Sequence, residues 1–180
     1  MLKKSIANTV KNMSMIAEYI MVDEETLESL MDLNNDELTD KLFEIEESEK
    51  FESIGIDKIW DALHCFLTGV SAVFPIEGDK LSEAIVGTHV FIEDDDVDFI
   101  TCIENEELAE IIQALEKIEF SKLASDFDPK ILKENEVYPN GIWDDDKTQL
   151  LTEMETAIAD LLDFYKSALE TKHHVVVSIL

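Results

Sequence analysis

Apolar positions along this chain repeat with two periods, and the switches between them mark the elements. Residues 13–22, MSMIAEYIMV, form an apolar run with one aromatic residue and predict a strand. Asp23 then offers an N-cap oxygen, with Glu24 and Glu25 in the first turn, where the helix dipole favours negative charge. Leu27, Leu30 and Met31 follow at helical spacing. After Asn34 and Asn35, the positions Leu38, Leu42 and Ile45 continue a second amphipathic helix, which ends in the charged run 46–50. Further on, Asp79 and Gly87 bracket a short helix through Leu81, Ala84 and Ile85. Two β-rich pieces, 88–92 and 97–103, predict a hairpin joined across 93–96. Asn105 opens a helix whose stripe is Leu108, Ile111, Ile112, Leu115 and Ile118, and Asp128-Pro129 opens a short one. The longest helix follows Asp144 to Asp146, with apolar positions in register from Leu150 to Leu169. Residues 175–180, VVVSIL, predict a buried strand.

Strands at both ends and in the middle, with helices between them, predict an α+β fold: a single, mostly helical domain packed on a small sheet that includes the N- and C-terminal strands. No internal repeat or long linker divides the chain. The chain is therefore expected to form one domain, with the weakly patterned residues 1–12 as either a loose N-terminal extension or a first helix.

The most distinctive stretch is 56–71, IDKIWDALHCFLTGVS. Asp57 is expected to cap its helix and Gly69 to end it in the left-handed conformation. Together with Met13-Ser14-Met15-Ile16, Leu81-Ser82, Gly87, Phe127-Asp128-Pro129 and Tyr138-Pro139 with Trp143, this stretch resembles the YfbM-like family of uncharacterised bacterial proteins. The resemblance spans 13–180 and implies a cytosolic α+β domain with a strand at each end, preceded by 1–12 as an N-terminal extension. It implies no activity.

Charge narrows the possible partners. The 42 acidic residues outnumber the 14 basic ones, giving a formal net charge of -28, and none of the basic residues is arginine. A folded chain of this size exposes about 9,000 Å², so about one uncompensated negative charge falls on every 300 Å². Nucleic acid, whose binding relies on cations displacing counterions, is disfavoured, and so are anionic membranes. A basic protein is the partner this charge admits. Lys3 and Lys4 resemble the start of a signal peptide, but Lys11 and Glu18 interrupt the apolar segment that should follow. The longest stretch free of Asp, Glu and Lys, 62–76, is too short to span a bilayer, which leaves the cytoplasm as the expected location.

Candidate chemistry is sparse. Cys65 and Cys102 lie in apolar runs and are expected to be buried thiols, not disulfide partners. The acidic run 93–98 lacks the alternating ligands and turn glycine of a calcium loop, and Asp144 to Asp146 fit helix capping better than metal binding. His173 and His174, if both on a strand, would point to opposite faces. No cofactor, metal or nucleophile motif occurs. What remains is a candidate pocket of Trp60, His64, Thr68 and Gly69 on the distinctive helix, faced by Tyr138 and Trp143. Two roles fit His64: a buried histidine bonded to a backbone carbonyl beside a core tryptophan, or a proton-exchanging group beside Asp61. The expected function is accordingly a non-enzymatic interaction protein, with a small-molecule enzyme or sensor built on His64 and Trp60 as the alternative.

Overall fold

The computed structural model describes residues 14–94 and 98–180. The proposed extension at 1–12, Met13 at the head of the first strand, and residues 95–97 in the hairpin lie outside them. Among the described residues, five antiparallel strands form one sheet: β1 (Ala17–Val22), β2 (Ser53–Asp57), β3 (His89–Val90), β4 (Phe99–Ile103) and β5 (His174–Ile179), in the order β2-β1-β5-β4-β3. The last strand lies in the middle. Tyr19 stands opposite Val177, which stands opposite Thr101 on its other side.

Eight α-helices accompany the sheet among the described residues. They are α1 (Glu24–Leu30), α2 (Asn35–Glu47), α3 (Trp60–Thr68), α4 (Lys80–Val86), α5 (Leu108–Glu116), α6 (Phe120–Asp126), α7 (Lys130–Glu134) and α8 (Lys147–Glu170). The starts of α1, α2, α4 and α8 follow capping signals in the sequence. Asp23 accepts from the Thr26 N–H, Asn34 and Glu37 form a capping box, and Asp146 accepts from the Gln149 N–H.

Both faces of the sheet are covered. On one, Tyr19, Met21, Phe99, Val175, Val177 and Ile179 join the larger core, with Trp60, Leu63, Ile85, Ile111, Leu161 and Tyr165 from the helices. On the other, Ile20, Val22, Ile100, Cys102 and Val176 meet Leu27, Leu30, Leu38, Leu42 and Ile45 of α1 and α2. A strand buried on both faces reads as a near-continuous apolar run instead of an alternating one. This is why Val175 to Ile179 is an unbroken buried run despite its antiparallel pairing.

The C-terminal end of α4 is closed by hydroxyls. Its last carbonyls have no partner inside the helix. Tyr165 donates to the Ala84 carbonyl at 2.6 Å, Tyr19 to that of Ile85 at 2.7 Å and Thr101 to that of Val86 at 2.7 Å. Gly87 follows at φ 79° and ψ -178°, where a Cβ would overlap the Thr101 hydroxyl.

Two expectations need correction, and one helix goes beyond them. Asp57 does not cap α3: it ends β2 at φ 49°, and the helix begins at Trp60 after Ile59, without a side-chain cap. Pairing of Gly55 with Glu18 and of Ile54 with Tyr19 draws this segment into the sheet, a long-range effect that local pattern does not carry. Asn105 opens a 3-10 turn at 105–107, so α5 itself starts at Leu108. Helix α6, which lacks any side-chain cap, was not expected at all.

Candidate functional site

Helix α3 carries the distinctive sequence, and its neighbours explain it. Trp60, fully buried, donates from Nε1 to the Met15 carbonyl at 3.3 Å, and the Tyr138 hydroxyl accepts the Met15 N–H at 2.8 Å. The Trp60 and Tyr138 rings stack with centroids 5.7 Å apart. These two aromatic side chains thus clasp the backbone just before β1. Trp143, half-buried, packs on the same core from the 142–144 turn.

His64 is also sealed, at 0% exposure. Its Nδ1 lies 2.8 Å from the Val70 carbonyl, which can only accept, so Nδ1 carries the proton. Its Nε2, 2.7 Å from Ser82 Oγ, therefore accepts the serine proton, while Ser82 Oγ accepts the Ile76 N–H. Both ring nitrogens are satisfied with the imidazole neutral. Burial pushes its pKa below the usual histidine range, against the opposing Val70 bond and the Asp79 charge. Thr68 turns its hydroxyl back to the His64 carbonyl at 2.8 Å, and Gly69 ends the helix at φ 85°.

Asp61 is the only acidic residue buried among the described residues. It accepts from Ser71 Oγ at 2.9 Å, from the Ala72 N–H at 2.7 Å and from the Tyr138 N–H at 2.7 Å. Burial raises its pKa, and those three donors oppose the rise. Through His64 and Asp61, α3 fastens the 70–76 loop, α4 and the Tyr138-Pro139 segment, whose peptide bond is cis.

The structure thus brings Trp60 and Tyr138 together, and Thr68 against His64, inside a packed core. A ligand reaches none of the His64 or Asp61 polar atoms without parting α3 from its loop. The cysteines are equally withdrawn, since burial pushes both thiols up to about 12. His174 bridges Glu24 at 2.9 Å and the Asn105 N–H at 3.1 Å, whereas His173 precedes the strand and contacts Thr171.

A groove of about 490 Å³ lies beside this hub, between β2, the 139–145 segment and α8. Ile56, Ile59, Pro139, Ile142 and Ala157 supply apolar lining, and Asp57, Asp145, Glu153 and Asp160 place four carboxylates around it, against one cation, Lys58. Ile56, Ile59, Ile142 and Ala157 are buried, while the four carboxylate residues are exposed. Asp61 shapes one wall, because its bond to the Tyr138 N–H fixes the backbone next to Pro139. The sequence pattern did not single out this groove. Glu153, Thr156, Ala157 and Asp160 do form one helical stripe, but its juxtaposition to β2 depends on the sheet.

The chain matches, over residues 13–178, a family described as a domain of unknown function, DUF1877. It is 31% identical over 169 residues to Protein YfbM of Escherichia coli (strain K12), covering 93% of this chain and 99% of that one. A crystal structure of YfbM from Escherichia coli, described as a protein of unknown function, is similar with a TM-score of 0.77 and 32% identity. That match covers 92% of this chain and 100% of the other. The resemblance drawn from the distinctive helix and its companions therefore holds along nearly the whole length. On that extent of match, the chain belongs to the DUF1877 family of domains of unknown function.

Proposed function

We propose that this protein is an interaction module that receives a cationic segment of another protein in the groove between β2, the 139–145 segment and α8. The observation that carries this reading is the groove itself, in which four carboxylates and a single lysine surround an apolar lining. The groups best suited to proton transfer or nucleophilic attack, His64, Asp61, Cys65 and Cys102, are all buried and support no open active site. A net charge of -28 draws cationic partners in and repels polyanions. Contact between apolar side chains in the groove supplies what charge alone does not, since exposed ion pairs contribute only about 0.2–1 kcal/mol each.

The test uses fluorescence anisotropy with a labelled peptide, acetyl-Lys-Lys-Val-Lys-Lys-Val-amide, at physiological ionic strength. Neutralising Asp145, Glu153 and Asp160 together, as Asp145→Asn, Glu153→Gln and Asp160→Asn, removes three pairs at about 0.5 kcal/mol each, or about tenfold in affinity. A control neutralises Glu28, Glu37 and Asp40, which are exposed on α1 and α2. The control is expected to lose less than about threefold, because screening confines charge effects to about 8 Å. Equal losses in both variants would mean diffuse attraction and would defeat the groove as the site.

A further inference from the structure

We infer that the cationic segment enters the groove as an extended strand that adds to the free edge of β2. This rests on the docking role proposed above and specifies its mode. Among the described residues the sheet ends at β2, which pairs only with β1. The direction of its backbone groups follows from the ladder. Met21 N–H donates to the Glu52 carbonyl at 2.9 Å, and Ile54 stands opposite Tyr19, two residues along. In an antiparallel pair, bonded and non-bonded positions alternate. Glu52 and Ile54 therefore turn their backbone groups to β1, and Ser53 and Gly55 turn theirs outward. Both outward residues are exposed. Each presents one N–H and one C=O, so the edge offers four ladder bonds to an incoming strand.

The surroundings of this edge select its occupant. Side chains of a strand alternate between faces, so an added strand meets what flanks β2 on both sides. On the groove side it meets Ile56 and Ala157, with Glu153 and Asp160 near them. On the other side lies Glu18, whose carboxylate occupies the space that a Cβ on Gly55 would take. Burial raises the Glu18 pKa, and the negative charges of Glu46 and Asp57 raise it further, so this carboxylate sits in a locally repulsive setting. A lysine or arginine on the added strand relieves that repulsion. A second copy of this chain brings the same carboxylates and the same -28 charge to the edge and is repelled. A helical ligand leaves the outward amides of Ser53 and Gly55 without partners. The occupant that uses both the amides and the charges is an extended cationic peptide, of the kind recognised by strand addition elsewhere. Its paired stretch is short, because Asp57 leaves the extended region at φ 49° and ends the strand.

Two measurements on the full chain test this, with the same hexapeptide as probe. Amide hydrogen exchange, read by NMR, is expected to slow at least tenfold at Ser53 and Gly55 on saturation. In parallel, the peptide is N-methylated at residues 1, 3 and 5, or at residues 2, 4 and 6. Only one of these sets faces β2, so one set loses at least tenfold in affinity and the other stays within about threefold. Suppose the unmodified peptide binds and the groove variant weakens it, yet Ser53 and Gly55 exchange unchanged or both methylated sets bind alike. Strand addition is then overturned while the docking role stands. If the unmodified peptide does not bind at all, both fall.

Discussion

Replacing His64 with leucine tests whether this histidine is a neutral internal strut. Leucine fills a similar space, so the main losses are polar. The Val70 carbonyl loses its donor at 2.8 Å and keeps only the Thr68 hydroxyl at 3.3 Å. The Ser82 hydroxyl loses its acceptor at 2.7 Å. Each buried group left unpaired costs about 1–3 kcal/mol, and the Thr68 contact softens one of the two. His64→Leu should therefore destabilise the protein by about 2–4 kcal/mol at pH 8, lowering Tm by about 10 °C for a chain of this length. The pH dependence is the sharper measurement. Because burial lowers the folded pKa, the unfolded chain binds the proton first on acidification. The stability that wild-type His64 provides is full above the unfolded value of about 6.5 and is lost as pH falls from there to the lowered folded value. The gap between wild type and variant should thus narrow on acidification, by no more than about 1.4 kcal/mol per pH unit. Urea unfolding followed by tryptophan fluorescence from pH 8 to pH 5 reads this directly, since titrations common to both chains cancel. A gap below about 1 kcal/mol at pH 8, or one that does not change with pH, would refute the assignment.

Two further outcomes follow from the same geometry. Gly69→Ala should cost about 1 kcal/mol, because φ 85° strains an L-residue while a Cβ there meets nothing within 4 Å. Gly87→Ala should cost more, about 3 kcal/mol, since it adds an overlap with the Thr101 hydroxyl to a backbone conformation almost restricted to glycine. Thermal unfolding of the pair checks this ranking, and the reverse order contradicts it. Cys65 and Cys102, with thiols pushed up to about 12, should resist a disulfide reagent at pH 8 in the native protein and react together once urea unfolds it. Fast labelling of either thiol in the native state would show that the burial described here is not maintained in solution.

The legible parts of this fold are those fixed by short-range chemistry. Caps at Asp23, Asn34, Asp79 and Asp146, the stripe of α5 and the stop at Gly69 are all local, and each is visible in the sequence. The strand run 175–179 was legible because burial on both faces removes the polar alternation that would otherwise blur it. What escaped was set at long range. Ser53 to Asp57 contains a glycine, two polar residues and only two apolar ones, and becomes a strand because β1 offers it an edge. The roles of Trp60 and Tyr138 were readable only as aromatic anchors, since their shared partner is the backbone of Met15, 45 and 123 residues away respectively. The groove escaped for the same reason, because its walls come from three separate stretches of chain.

The central position of β5 has a consequence for how the molecule is made. Its two neighbours, β1 and β4, are not paired with each other, so the sheet stays in two halves until residue 179 has left the ribosome. Joining β1 to β5 closes a loop of most of the described chain, a non-local pairing of the kind that slows folding. A message that stops short of this strand yields no slightly trimmed version of the protein: it yields two apolar half-sheets, a ready substrate for proteases.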